Sequence, residues 1–270
     1  LMRPKYPITG TGFAGIIESV GEGVTQFKLG QAVFGESIFG SGTNAEYVCV
    51  PQDAVLAVKP ENTSFAEAAP MCDGALTSIN FLKDVGKLQA GQRVLINGAS
   101  GSLGTAAIQL AKFYGAHVTG VCSGNNVQLV KSLGCDEVID YTREDFTHNT
   151  DLPDTQKYQL IYDTVGKLSF KDCKKILSEH GAFISPVLGW SLLWQVIWTS
   201  LFGKQKAKFS ATGVRPINEL RDLLAELIPV IEDGHLKTVI DKCYPLEQIS
   251  QAHEYIDSGR KKGNVIITSL

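Results

Sequence analysis

Two patterns of apolar and polar residues follow one another along the chain. Between residues 13 and 60, short β-like apolar runs at 13–20, 32–34, 45–50 and 55–58 are broken by glycine and proline, the pattern of a small barrel. A helix is expected over 64–85. Beyond it the pattern alternates: strand 93–97, helix 103–114, strand 117–122, helix 125–133, strands 137–140 and 158–163, helix 168–178, strand 182–187. Such alternation predicts a doubly wound parallel sheet with right-handed crossovers. The C-terminal stretch predicts an amphipathic helix 216–233, a strand near 239–243, a helix 246–258 and a last strand 264–268. The expected domains are a partial barrel, 1–76, a nucleotide-binding domain, 77–212, and a segment 213–270 that returns to the barrel.

The apolar strand residues Val94 to Ile96 run straight into Asn97-Gly98-Ala99-Ser100-Gly101-Ser102-Leu103-Gly104 and then into a helix. Gly98, Gly101 and Gly104, at three-residue spacing, permit a tight turn and a close backbone approach to a pyrophosphate at the helix N-terminus. A βα turn without ligand is the alternative; the strand before, the helix after and a second strand ending at 122 favour a dinucleotide. After that second strand the chain reads Ser123-Gly124-Asn125-Asn126, with no acid where an NAD-specific protein usually sets one against the ribose 2′-hydroxyl. Ser123, Asn125 and Asn126 are able to bond a 2′-phosphate instead. Asp163-Thr164-Val165-Gly166 ends a strand at the carboxyl edge of the sheet, where ligands bind. The backbone of Thr164 and Val165, rather than the Asp163 side chain, is the expected contact.

With 270 residues, 44% hydrophobic, 20% charged and a net charge of −3, the chain fits a globular protein of two domains. No basic patch points to nucleic acid. The cysteines at 49, 72, 122, 135, 173 and 243 form no Cys-x-x-Cys pair, which argues against a thiolate zinc site and a disulfide framework and for a cytoplasmic location. Cys72 and Cys122 read as buried structural thiols, and His117, His148, His180, His235 and His253 have no metal spacing. Residues 181–203 carry no charge, yet only 188–202 is helix-like, too short to cross a bilayer, so no membrane partner is expected. Trp190, Trp194 and Trp198 form one stripe on that helix. Such a stripe reads first as core or subunit packing, with a substrate-cleft wall or a membrane-surface contact as alternatives.

The order of barrel, glycine-turn unit and returning tail is joined by a set of local matches. These are Gly12-Phe13-Ala14-Gly15 with Glu18-Ser19-Val20-Gly21-Glu22-Gly23-Val24, Ala45-Glu46-Tyr47, Gly74-Ala75-Leu76-Thr77, the turn 98–104, Val138-Ile139-Asp140-Tyr141, Tyr162-Asp163-Thr164-Val165-Gly166 and Gly263-Asn264-Val265-Ile266-Ile267. In these the chain resembles the medium-chain dehydrogenase/reductase superfamily, in particular its zinc-independent quinone oxidoreductase branch. The resemblance implies an α/β fold, a GroES-like barrel beside a Rossmann sheet. It also implies NADPH as cofactor, with Thr77 facing the nicotinamide half, Tyr141 in the 2′-phosphate pocket, and Ser100, Ser102, Leu103 and Asn264 among the cofactor contacts. Zinc-dependent members carry Gly-His-Glu where this chain has Gly10-Thr11-Gly12, and a four-cysteine loop that it lacks, so no metal is expected. Relatives have several dozen barrel residues before the point that Leu1 matches, and the chain reads as N-terminally truncated.

The expected activity is NADPH-dependent hydride transfer to a quinone or an α,β-unsaturated carbonyl, both small electrophiles. The alternatives are a cofactor-binding sensor with little turnover and an alcohol dehydrogenase-like activity. No proton donor is named; Asn44 and Tyr47 lie in the part of the barrel that faces the cleft in relatives. A homodimer is expected through an edge strand near 208–211. The preference for NADPH over NADH is expected to be about 1–2 kcal/mol, because only neutral groups, Tyr141 and Lys131 favour the phosphate.

Overall fold

The computed structural model describes residues 8–37, 42–148 and 152–269. The chain divides into two units, Leu1–Leu76 with Gly213–Leu270, and Thr77–Thr212. In the first, β1 (Gly12–Ile16), β2 (Ala32–Glu36) and β3 (Val55–Val58) form an antiparallel sheet. Residues 45–50, expected as a strand, bend and then run without joining any described strand, since strand propensity needs a neighbour to pair with. The helix expected over 64–85 is broken at Pro70, which lacks the N–H a continuous helix requires. It becomes α1 (Phe65–Ala68), with a Ser64/Glu67 capping box, then α2 (Met71–Ile79), then a π-helical turn over Asn80–Val85.

The second unit is built from β4 (Arg93–Asn97), α3 (Ser102–Phe113), β5 (His117–Cys122), α4 (Val127–Ser132) and β6 (Glu137–Asp140). β7 (Tyr158–Asp163), α5 (Phe170–Cys173), β8 (Leu177–Ser185), α6 (Trp190–Leu201) and β9 (Lys206–Phe209) complete it. The six strands pair in parallel in the order β6-β5-β4-β7-β8-β9. Val94, Leu95 and Ile96 are fully buried, as a central strand covered on both faces demands. The helix expected over 168–178 lasts one turn, because the Tyr158 amide takes the Ile176 carbonyl at 2.9 Å and draws the next residues into β8. β9 begins two residues before the expected edge strand. On α6, Leu192 and Val196 pack into the core cluster with Leu95, Val121, Ile161 and Phe183. Trp190, Trp194 and Trp198 are exposed, so the tryptophan stripe is not core. Among the described residues no helix is long and apolar enough to cross a membrane.

α7 (Ile217–Glu232), β10 (Ile240–Pro245), α8 (Ile249–Asp257) and β11 (Asn264–Thr268) follow, β10 and β11 pairing in parallel. This stretch is tied to the N-terminal one: the Asn62 amide donates to the Ile231 and Glu232 carbonyls, each at 3.0 Å, and the Thr238 hydroxyl donates to the Glu67 carbonyl at 2.6 Å.

The strand order reverses between β4 and β7, and their carboxyl ends are locked together. Asp163, fully buried, accepts from the Asn97 amide at 2.9 Å, from the Val165 and Gly166 N–H groups at 3.1 Å and from the Leu168 N–H at 2.9 Å. Asp163→Ala leaves all four donors without this acceptor, and buried unsatisfied donors cost about 1–3 kcal/mol each. The variant is expected to lose at least about 3 kcal/mol in urea unfolding. A loss under about 1 kcal/mol would mean that the loop finds other acceptors.

Candidate functional site

At the carboxyl end of β4 the chain turns back on itself. The Gly98 and Ala99 amides reach the Val121 carbonyl at 3.2 and 3.0 Å, and the Gly101 amide closes onto the Gly98 carbonyl at 3.0 Å. Gly98 has φ of +77°, and a β-carbon there would stand 2.4 Å from Val165 Cγ2 and 2.5 Å from Thr164 Oγ1. A β-carbon on Gly104 would stand 2.2 Å from the Gly98 carbonyl oxygen. Gly101 differs: its nearest atom, the same oxygen, is 3.4 Å away. Two glycines thus serve packing and one leaves space in front of the helix. α3 starts behind it with no side-chain cap, so the first-turn N–H groups of Ser102, Leu103 and Gly104 face the space Gly101 leaves, at the positive end of the helix dipole.

The far side of this space is the segment after β5. Asn126 donates its amide to Ser100 Oγ at 3.0 Å and to Ser123 Oγ at 3.2 Å, joining the glycine turn to the end of β5. Its Oδ1 is buried and has no partner, an acceptor left for a ligand hydroxyl. Asn125, named from the sequence beside it, is exposed in a short 3-10 turn. Tyr141 is exposed, its backbone amide on the Cys122 carbonyl at 3.1 Å. No acid directly follows β5, and one reaches this edge from the neighbouring strand. Asp140, at the end of β6, lies against Gly124, and hydrogen bonds from the Thr142 hydroxyl and amide, the charge of the Arg143 guanidinium and a bond from the Gly124 amide hold its carboxyl below the usual range. Arg143 Nε stands 3.4 Å from it. Lys131 lies on α4.

Thr164 is fixed at the β7 end by its hydroxyl and amide on the Asn97 carbonyl, at 2.7 and 3.2 Å, and Val165 follows it in the same loop. Thr77 precedes Ser78, whose hydroxyl donates to the Leu103 carbonyl at 2.9 Å; Ser78 thus places Thr77 beside the start of α3 and was not singled out from sequence. Asn264 belongs to the other unit, where its amide donates to the Val239 carbonyl at 3.1 Å. Asn44 and Tyr47 also lie there, bonding Thr9 and Glu18. Burial pushes the thiols of Cys122, Cys135 and Cys173 up to about 11, 12 and 12, which leaves them inert at neutral pH. In the first unit, burial and the charge of Asp73 push Glu36 up to about 7. Asp73 itself is raised by loss of water and opposed by Lys261. Nothing in the sequence around Glu36 signals this, because the desolvation comes from the folded sheet. Among the described residues no group of three His, Cys, Asp or Glu could hold a metal.

Residues 2–60 match the family model of the alcohol dehydrogenase GroES-like domain, and residues 133–267 that of zinc-binding dehydrogenases. A 2-methylene-furan-3-one reductase from Solanum lycopersicum is 32% identical over 98% of this chain and 64% of its own length. The chain therefore spans less than two thirds of that relative. A chloroplast envelope quinone oxidoreductase homolog from Arabidopsis thaliana is 31% identical over 99% of this chain and 83% of its own. The crystal structure of a quinone oxidoreductase from Pseudomonas syringae superposes with a TM-score of 0.84 at 26% identity, covering 99% of this chain and 84% of that one.

Two measurements test the site. Gly101→Ala is expected to leave the melting temperature unchanged and to weaken dinucleotide binding on the order of tenfold, whereas Gly104→Ala lowers both, because its β-carbon meets backbone. Equal effects of the two would contradict the division of roles. Glu36 sits above its ordinary value of 4.5, so folding is opposed once the unfolded carboxyl ionises: stability falls as pH rises from about 4.5 to about 7 and then levels off. Glu36→Gln is expected to flatten this slope and to stabilise the protein at pH 8 by about 1–2 kcal/mol, a figure reduced for partial exposure. Parallel pH–stability curves for the two proteins would show that Glu36 is not the group responsible.

Proposed function

Because the chain belongs to the medium-chain dehydrogenase/reductase superfamily, in its zinc-independent quinone-oxidoreductase-like branch, we propose that it reduces an electron-poor double bond. The substrate is a quinone or an α,β-unsaturated carbonyl, and the reductant is NADPH. The observation that carries this is the uncapped start of α3 behind the glycine turn at the reversal point of the sheet. The buried, unpartnered Asn126 Oδ1 beside it fits a ribose. The names of the relatives, a methylene-furanone reductase and a quinone oxidoreductase homolog, support the substrate class.

When bound, the nicotinamide supplies a hydride for the electrophilic carbon. This chain's own groups bind and orient. The N–H groups of Ser102, Leu103 and Gly104 take the pyrophosphate, Asn126, Ser123 and Tyr141 take the adenosine ribose, and the Thr164–Val165 backbone and Thr77 line the other half. Charge that develops on the conjugated oxygen is stabilised by hydrogen-bond donors, and water or a hydroxyl returns the proton. The side chains here supply no Lewis acid, since Thr11 and Gly12 stand where His and Glu would ligate zinc, and an alcohol–ketone interconversion is disfavoured accordingly. A homodimer through β9 fits the same reading, because β9 ends the sheet and pairs with β8 alone among the described strands, and an edge strand invites pairing.

The phosphate preference is modest. Arg143 and neutral donors favour a 2′-phosphate and the Asp140 charge opposes it. Calorimetry is expected to give NADPH about tenfold tighter binding than NADH. Ser123→Asp should reverse the order, by adding a second acid that repels the phosphate and accepts from a 2′-hydroxyl. NADPH oxidation on addition of a quinone completes the test. Tight binding without oxidation would reduce the protein to a cofactor-binding one, and a preference for NADH would overturn the pocket.

A further inference from the structure

α6 is apolar on two opposite faces. The inner face is accounted for by Leu192 and Val196 in the sheet's core and by Thr199, whose hydroxyl accepts from the Ala207 amide at 2.9 Å. The outer face carries Trp190, Trp194 and Trp198, exposed at 82, 70 and 66%, with Ile197 at 47% and Leu201 at 70%. At 100° per residue these five fall within one arc of about 100°. The indoles alone present on the order of 400 Å², taking about 200 Å² for each, which is already the scale of the largest apolar patch on an ordinary monomer, about 300–600 Å². Water is a poor partner for such a face.

Charge indicates the partner. Between Lys171 and Lys208 the chain holds six lysines against Asp172 and Glu179, in a protein whose net charge is −3; Lys206 and Lys208 turn their ammonium groups to the Thr199 and Val85 carbonyls, and Lys171, Lys174, Lys175 and Lys204 are exposed. Gln205, just past α6, bonds the carbonyls of Lys174, Leu177 and Ser178 at 3.0, 3.0 and 3.1 Å, which brings the exposed Lys174 and Lys175 to the C-terminal end of the helix. Lys204 at that end is shared with Glu179. The apolar arc itself offers no hydrogen-bonding side-chain group beyond the indole N–H groups, whereas a protein partner meets its target with roughly one hydrogen bond per 100–200 Å². Indoles with their N–H groups at headgroup level and lysines at the rim match the boundary of an anionic bilayer.

We propose that α6 is a surface-lying membrane anchor, which seats its tryptophan face in the headgroup–acyl boundary of an anionic bilayer while its lysine rim meets the lipid phosphates. The helix has 12 residues, about 18 Å, and lies on the membrane rather than crossing it. Pairing of β9 with a second copy runs in the plane of the sheet and leaves this outer face free. The inference is independent of the proposed reaction.

The three tryptophans on α6 are all that the chain contains, so intrinsic fluorescence reports this face alone. The full chain is mixed with vesicles of phosphatidylcholine, with or without phosphatidylserine, and followed by flotation and by emission. Flotation with the phosphatidylserine vesicles is expected, with a blue shift and quenching by brominated acyl chains. Combined replacement Trp190→Ser, Trp194→Ser and Trp198→Ser should abolish flotation with the far-ultraviolet dichroism unchanged. Lys174→Glu with Lys175→Glu should weaken vesicle binding on the order of tenfold or more. No flotation with either vesicle, or equal binding to both, would overturn the proposal. So would blue-shifted emission without lipid in a species that light scattering reports as a dimer, since a second copy then covers the face.

Discussion

The loops that follow β4 and β7 approach until a single β-carbon is too much, and the geometry of the carboxyl end of the sheet depends on that approach. Thr164 and Val165 occupy the place where a side chain on residue 98 would be. The Asn97 carbonyl takes the Thr164 hydroxyl and amide, and the Asn97 amide closes on Asp163. With the loops fixed in this way α3 has to begin at once, and Gly104 lets its first turn rest on the Gly98 carbonyl. The helix starts without a side-chain cap because its N-cap residue, Gly101, has no side chain to supply one. An open, positively polarised N-terminus is the consequence of a packing constraint, and anion binding follows from it.

The opposite rim shows how a charge from elsewhere in the chain alters a local rule. A search for an acid after β5 finds Ser123 and no carboxylate, yet the parallel pairing of β5 with β6 sets Asp140 opposite Cys122 and hence next to Gly124. The Thr142 hydroxyl and amide, together with Arg143, keep that carboxyl ionised. A phosphate at this rim meets a fixed negative charge and a guanidinium within a few ångströms of one another, and the difference between two opposing terms is smaller than either.

What the sequence made legible was local. The glycine spacing, the apolar strands on either side of it and the alternation of strand and helix are properties of neighbouring residues, and they predicted the Rossmann sheet and the turn. The failures share one cause, a partner distant in sequence. Residues 45–50 have strand composition and no described strand beside them. Residues 174–178 have helical composition, but the Tyr158 amide claims Ile176. Within the site, Ser100, Ser123 and the pair Asn125–Asn126 stood out, whereas which of the two asparagines turns to Ser100 and Ser123 depended on the sense of a 3-10 turn. Ser78 and Glu36 acquire their roles only from what folds against them.

The core reading of the tryptophan stripe failed for a different reason. Periodicity tells which side chains share a face and is silent on whether that face is inward, and the preference of apolar residues for the interior runs one way only. α6 has two apolar faces, so hydropathy could not choose between them. Size and hydrogen bonding could. Beside β9 the helix approaches closely enough for the Thr199 hydroxyl to take the Ala207 amide, and Val196 and Leu192, three and seven positions back along the same side, fill what space is left. Three indoles do not fit a gap that a threonine spans. The small apolar residues turn to the sheet, and the large ones are left on the outside, where their burial has to come from something other than this unit.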